Sequence, residues 1–148
     1  MPSAHVRAIR DWFEEGWNRG NLEVIDHVVA STCVEYGLTS GLVERMGTKG
    51  QKEAVLLTRK AFPDLHMRIE DTITSDDRVI VRWTAAGTHK DAWLGIPASH
   101  QYMTWGGIAI YRFVGNKVQQ LWWLADVYGA LQQLGGISLT RAAGASRR

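Results

Sequence analysis

The chain has 148 residues, of which 45% are hydrophobic and 22% charged, a composition expected of one globular domain large enough to bury a core. Its net charge is +2, and Arg141, Arg147 and Arg148 sit in the last eight residues, so the body is near neutral and no basic face argues for nucleic acid. The lone Cys33 excludes a disulfide framework and a cysteine-based metal site. No apolar run approaches membrane-spanning length and the amino terminus lacks a signal-peptide core, so a soluble, cytoplasmic protein without a membrane partner is expected.

Ser3 is a candidate cap for a first helix reaching about residue 18, with Val6, Ile9, Phe13 and Trp17 on one face at offsets of three and four. Gly20 ends it, and a short helix over 22–29 follows. A brief strand over 33–36 precedes a Gly/Ser/Thr loop, and a third helix spans about 49–62 until Pro63-Asp64 stops it. From Leu65 the apolar period changes from 3.6 to 2. Long strands are expected near 65–74, 78–90, 101–113 and 117–126, with a turn at Ser75-Asp76-Asp77 and a tight hairpin at Gly115-Asn116. A final helix covers 128–134, and residues 137–148 read as a flexible tail beyond a single domain over 1–136.

Three helices followed by a meander of long antiparallel strands predict an α+β fold, with a curved sheet wrapped as a cone around amino-terminal helices. Strands of twelve or thirteen residues, about 40 Å long, must bend, and Gly87, Gly106 and Gly107 are the expected places. Such a cone leaves a single enclosed pocket. The seven tryptophans, at 12, 17, 83, 93, 105, 122 and 123, either fill the core or wall that pocket for a flat ligand.

Asp126 ends the last strand in Leu121-Trp122-Trp123-Leu124-Ala125-Asp126. Counting by two from Val118 puts Val118, Trp122, Leu124 and Asp126 on one face and Leu121, Trp123 and Ala125 on the other. A carboxylate among large apolar neighbours has its pKa pushed toward neutrality, which suits a general acid or base. The competing reading is a helix cap for the segment that follows. Apolar residues on both sheet faces suggest a homodimer through the outer face, with Trp123 in it beside Val79, Val81 and Trp83 of a neighbouring strand.

Phe13-Glu14-Glu15-Gly16-Trp17-Asn18-Arg19-Gly20, Phe62-Pro63-Asp64, Gly87-Thr88-His89, Gly95-Ile96-Pro97-Ala98-Ser99 and Asp126-Val127-Tyr128-Gly129 occur in an order that resembles the SnoaL-like polyketide cyclases, in the nuclear transport factor 2-like superfamily. The resemblance spans about residues 5–135. It implies closure of a ring in a hydrophobic polyketide-type intermediate by intramolecular aldol chemistry, without metal or organic cofactor, and with Asp126 as the acid/base. The family's histidine on the third strand is replaced by Ala109, and polar positions of its last strand by Leu121 and Trp123, which implies a less polar substrate or a closure driven mainly by shape.

His89 and Glu35 are further catalytic candidates, each with a plainer alternative: a structural hydrogen bond for His89 and a solvent-facing strand position for Glu35. Two carboxylates in one apolar cavity would divide into an acid and a base. The substrate-lining candidates are Trp17, Ala54, Phe62, Trp105, Ala109 and Trp122. No His/Asp/Glu cluster has metal-ligand spacing. The alternatives to a cyclase are a hydroxylase, isomerase or epoxide hydrolase in the same cone, or a small-ligand binding module without chemistry.

Overall fold

The computed structural model describes residues 2–135, so the tail expected at 137–148 lies outside the described residues. Helix α1 (Ala4–Asp11) begins where the Ser3 hydroxyl accepts the Val6 N–H at 3.2 Å, the side-chain cap that satisfies an otherwise orphan donor. It runs on without a break as a π-helical stretch, Trp12–Asn18. Wider i→i+5 winding brings Trp12 and Trp17 to the same side, and Trp12, Phe13, Gly16 and Trp17 are all buried. Gly20, at φ 73°, turns the chain away.

Helix α2 (Glu23–Val28) passes directly into β1 (Val29–Tyr36), a strand that begins four residues earlier than its hydrophobic pattern suggests. The Gly/Ser/Thr loop contains a short strand, β2 (Val43–Met46), paired antiparallel with β1 through Glu35 and Arg45. Helix α3 (Gly47–Ala61) is followed by the expected meander of β3 (His66–Ser75), β4 (Arg78–Thr88), β5 (Tyr102–Val114) and β6 (Lys117–Ala125), then α4 (Val127–Gln133).

One open sheet results, in the order β2-β1-β6-β5-β4-β3. The expected α+β architecture holds with one correction. β1 runs parallel to β6, so the sheet is mixed rather than wholly antiparallel. The two strands are joined by most of the chain, and nothing short of a long crossover supports a parallel pair.

The inner face carries Val79, Val81, Trp83 and Ala85 of β4, Met103, Trp105, Ala109, Tyr111 and Phe113 of β5, and Leu121 of β6, all buried. The helices close over it, with Trp12 5.5 Å from the Tyr111 ring and Phe13 6.3 Å from Trp123. At Gly107 the backbone and a core ring come too close for any side chain: an added Cβ would strike the Leu124 carbonyl and sit 2.6 Å from the Trp83 ring.

The parity of β6 differs from the sequence count. The β5–β6 register shifts between Arg112 and Phe113, so that Arg112 faces Gln120 while Phe113 faces Val118. The extra residue is Gln119, a bulge that reverses the alternation downstream. Val118 therefore points inward together with Leu121 and Trp123, while Trp122 and Leu124 point outward. Val79, Val81 and Trp83 likewise belong to the core, each no more than 1% exposed. These residues and Trp123 are not on the outer face.

Candidate active site

Two neighbouring cavities lie between the helices and the inner face, in place of the single pocket expected. The first, about 210 Å³, is lined by Trp12, Trp17, Glu35, Glu44, Arg45, Gln51, Ala54, Thr58, Tyr111, Leu121 and Trp123. The second, about 150 Å³, is walled by Trp83, Trp93, Leu94, Trp105, Ala125 and others, and shares Trp17, Thr58 and Trp123 with the first. The partition is a stack of indoles: Trp17 lies 5.5 Å from Trp123, and Trp123 lies 4.5 Å from Trp83, with interplanar angles of 22° and 21°. Near-parallel rings at these separations attract one another beyond their burial.

Trp17 is held there by backbone ties. Arg59 of α3 donates to the carbonyls of Trp17 and Asn18 at 3.0 and 2.8 Å, satisfying acceptors that a helix end leaves open. The Asn18 amide bonds both ways to the Met67 backbone, at 2.8 and 2.6 Å. The π-helical turn is thereby fixed to both α3 and β3.

Glu35 is the buried carboxylate of the first cavity. It points inward from β1, only 7% exposed. Its Oε1 accepts the Gln51 side-chain N–H at 2.9 Å, and its Oε2 lies 3.9 Å from Arg45 Nε. Burial raises its carboxyl above the usual 4.5, outweighing the hydrogen bond from Gln51 and the charge of Arg45, which lower it. Desolvation has the upper hand because Arg45 sits at a long distance and is itself partly in water.

Two neighbours respond to the same environment. The Tyr111 hydroxyl, fully buried, is held well above its usual 10, first by burial and then by Glu35. It stays a neutral donor. Burial and Glu35 together push the Cys33 thiol up to about 12, so it carries no thiolate at neutral pH to act as a nucleophile.

Of the sequence candidates, Glu35, Trp17 and Ala54 meet in the first cavity, and Trp105 lines the second. Ala109 is buried on the inner face between Val81 and Trp123, but lines neither cavity. Phe62 is buried beside them, 4.7 Å from Trp105 and 5.0 Å from Trp93, bracing the wall rather than forming it. Trp122 is on the opposite face, stacked on Tyr36 at 5.7 Å.

Asp126 does not turn into the pocket. Its side chain is exposed and its Oδ1 accepts the Gly129 N–H at 2.9 Å, capping α4. The bulge at Gln119 accounts for this placement, because it sends Leu124 and the residue two beyond it outward. His89 is buried, and its Nδ1 lies 3.1 Å from the Ser99 N–H and 2.9 Å from the Ser99 hydroxyl. It ties down the loop between β4 and β5 from outside both cavity walls.

Sequence reasoning missed Trp12, Gln51, Thr58, Tyr111 and Trp123. A signal existed for two of them. Gln51, Ala54, Val55 and Thr58 fall at offsets of three, four and seven, so two polar residues interrupt the buried stripe of α3. Among the described residues, no three His, Cys, Asp or Glu side chains gather in a metal-binding arrangement.

A family model described as SnoaL-like polyketide cyclase matches residues 7–134. The chain belongs to that family. Among solved structures, it is similar to a candidate polyketide cyclase from Acidithiobacillus ferrooxidans, with 27% identity and TM-score 0.79 over 93% of this chain and 99% of the other. TsrD from Streptomyces laurentii shows 26% identity and TM-score 0.81 over 93% and 99% of the two chains. A candidate polyketide cyclase from Bacillus cereus shows 29% identity and TM-score 0.75 over 91% and 83%. No curated protein sequence matches the chain. This member of the SnoaL-like family has its buried carboxylate, Glu35, on β1, while Asp126, after β6, is exposed.

Proposed function

We propose that this SnoaL-like protein closes a ring in a hydrophobic polyketide-type intermediate without a cofactor, with Glu35 as the proton-transfer group. The observation that carries the reading is a buried carboxylate, raised in pKa, inside a cavity walled by indoles. The Glu35 carboxylate takes a proton from the carbon next to a carbonyl, and the C–H electrons form the enolate. The enolate carbon then attacks a second carbonyl carbon of the same chain, and the new alkoxide takes its proton back from Glu35. Protons and electrons balance, and the product is an isomer of the substrate. Walls of Trp12, Trp17 and Trp123 support the reading through orientation, since holding two reacting centres together removes much of an intramolecular barrier.

The proton-abstraction half is testable without the natural substrate. α-Tetralone, a flat ketone, exchanges its α-protons in D₂O, followed by proton NMR. Wild-type protein is expected to accelerate exchange, and Glu35→Gln to lower that acceleration by on the order of 10²–10⁴-fold. Equal rates for the two proteins would remove Glu35 as the base.

A homodimer through the outer face also remains a proposal, now resting on other residues. Cross-strand pairing lines up Ile73, Ile80, Ile110, Trp122 and Tyr36 as one row over five strands. Light scattering at micromolar concentration is expected to give twice the chain mass, and Trp122→Arg to return it to one.

A further inference from the structure

The polar atoms of the first cavity are unevenly satisfied. The Glu35 acceptor is bonded by Gln51. Among the described residues, by contrast, the Tyr111 hydroxyl and the indole N–H groups of Trp12 and Trp17 are buried and have no hydrogen-bond partner. A buried donor left unpaired is costly; the Trp83 N–H and His89 Nε2 are also unpaired, outside the first cavity, while these three share its wall. The Trp12 N–H edge lies over Gly16 in its own helix. Tyr111 and Trp17, which line the same cavity as Glu35, remain as buried donors without a partner.

The chemistry of this inventory restricts the ligand. An indole N–H only donates, and a tyrosine held neutral donates readily, so the complementary atom is an acceptor oxygen. Glu35 and Glu44 against Arg45 leave the lining with an excess of negative charge, which disfavours a carboxylate or phosphate. The aromatic walls favour a flat molecule.

We infer that the Tyr111 hydroxyl, assisted by the Trp17 N–H, receives the carbonyl oxygen of a neutral aryl ketone whose adjacent C–H faces Glu35. This deepens the proposed proton transfer and rests on it for the role of Glu35. As the C–H proton moves to Glu35, the C–H electron pair forms the C=C bond and the carbonyl electrons collect on oxygen. The Tyr111 bond strengthens as that charge grows, which lowers the barrier rather than only tightening binding.

The test compares α-tetralone with tetralin, the same bicycle without the carbonyl, by quenching of tryptophan fluorescence. Wild type should bind the ketone roughly tenfold more tightly. Tyr111→Phe should remove that preference while leaving tetralin affinity unchanged. It should also keep the Tm, because the deleted hydroxyl bonds to nothing in the protein. Preference retained in Tyr111→Phe, or absent from wild type, overturns the assignment. Should the variant fail to fold, the infrared carbonyl stretch of α-tetralone bound to wild type decides. A shift below its frequency in hydrocarbon solvent supports the donor, and an unshifted band overturns it. The two readings fail separately. Glu35-dependent exchange with no ketone preference removes only Tyr111, whereas ketone preference with exchange unaffected by Glu35→Gln removes only the base.

Discussion

The two cavities differ in the job each is equipped for. The first gathers the ionisable and hydrogen-bonding groups, Glu35, Gln51, Arg45 and Tyr111, while the second is walled chiefly by indoles and aliphatic side chains. The stack of Trp17, Trp123 and Trp83 stands between them. Exclusion of water raises a carboxylate's pKa, and partners such as Gln51 make that exclusion tolerable. The second cavity offers apolar burial and shape. The polar groups and the apolar walls are thus separated by that stack of indoles, which sets up the sharpest tests.

The largest effect is expected on rate. The activity of the first cavity should rise with pH through the raised Glu35 value, and that acid limb should vanish in Glu35→Gln along with the 10²–10⁴-fold of rate. Trp105→Ala, in the second cavity, should instead weaken binding of a flat ligand and leave the acid limb where it was. A shifted limb would show that the cavities are not separate in function.

Next comes the partition itself. Trp123→Ala should merge the cavities and cost about 3–5 kcal/mol, the range for losing a packed tryptophan, measured by urea denaturation. A loss below 1 kcal/mol would mean that the stack is not what holds the two walls apart. Gly107→Ala should cost roughly 1–3 kcal/mol by overpacking, since its methyl group would meet the Leu124 carbonyl and the Trp83 ring.

A smaller effect has a sign set by linkage. Burial raises the folded-state pKa of Glu35 above 4.5, so the folded protein binds that proton more tightly than the unfolded chain does. Its contribution to stability is therefore favourable at low pH, falls as pH rises from the ordinary carboxylate range through the folded value, and levels off above it. Glu35→Gln removes the burden. Its Tm should match or exceed wild type at neutral pH, with the difference shrinking on acidification. A variant clearly less stable at neutral pH would show that the ionised Glu35 is compensated by its neighbours.

The smallest effect is expected at Asp126. Asparagine caps a helix as well as aspartate does, so Asp126→Asn should leave Tm unchanged and α-proton exchange within a few-fold of wild type. A hundredfold loss of exchange would return the acid/base role to the end of β6.

Local patterns determined much of this protein by themselves. The Ser3 cap, the breaks at Gly20 and Pro63, the change of period at Leu65 and the turn at Gly115-Asn116 each depend on residues adjacent in the chain. They delivered the helices, the four-strand meander and the family. Glu35 was visible as a candidate because it follows Cys33 and Val34 on a short strand that the SnoaL-like resemblance turns toward the cavity. The faces of β6 were decided only by tertiary structure. One bulged residue, Gln119, is set by how β6 registers against β5, and it exchanges the inward and outward sets of side chains all the way to Asp126. The parallel seat of β1 beside β6, the wider winding that brings Trp12 beside Trp17, and the burial that raises Glu35 arise the same way. Each depends on which distant segments pack together, and such long-range contacts leave no periodic trace along the chain.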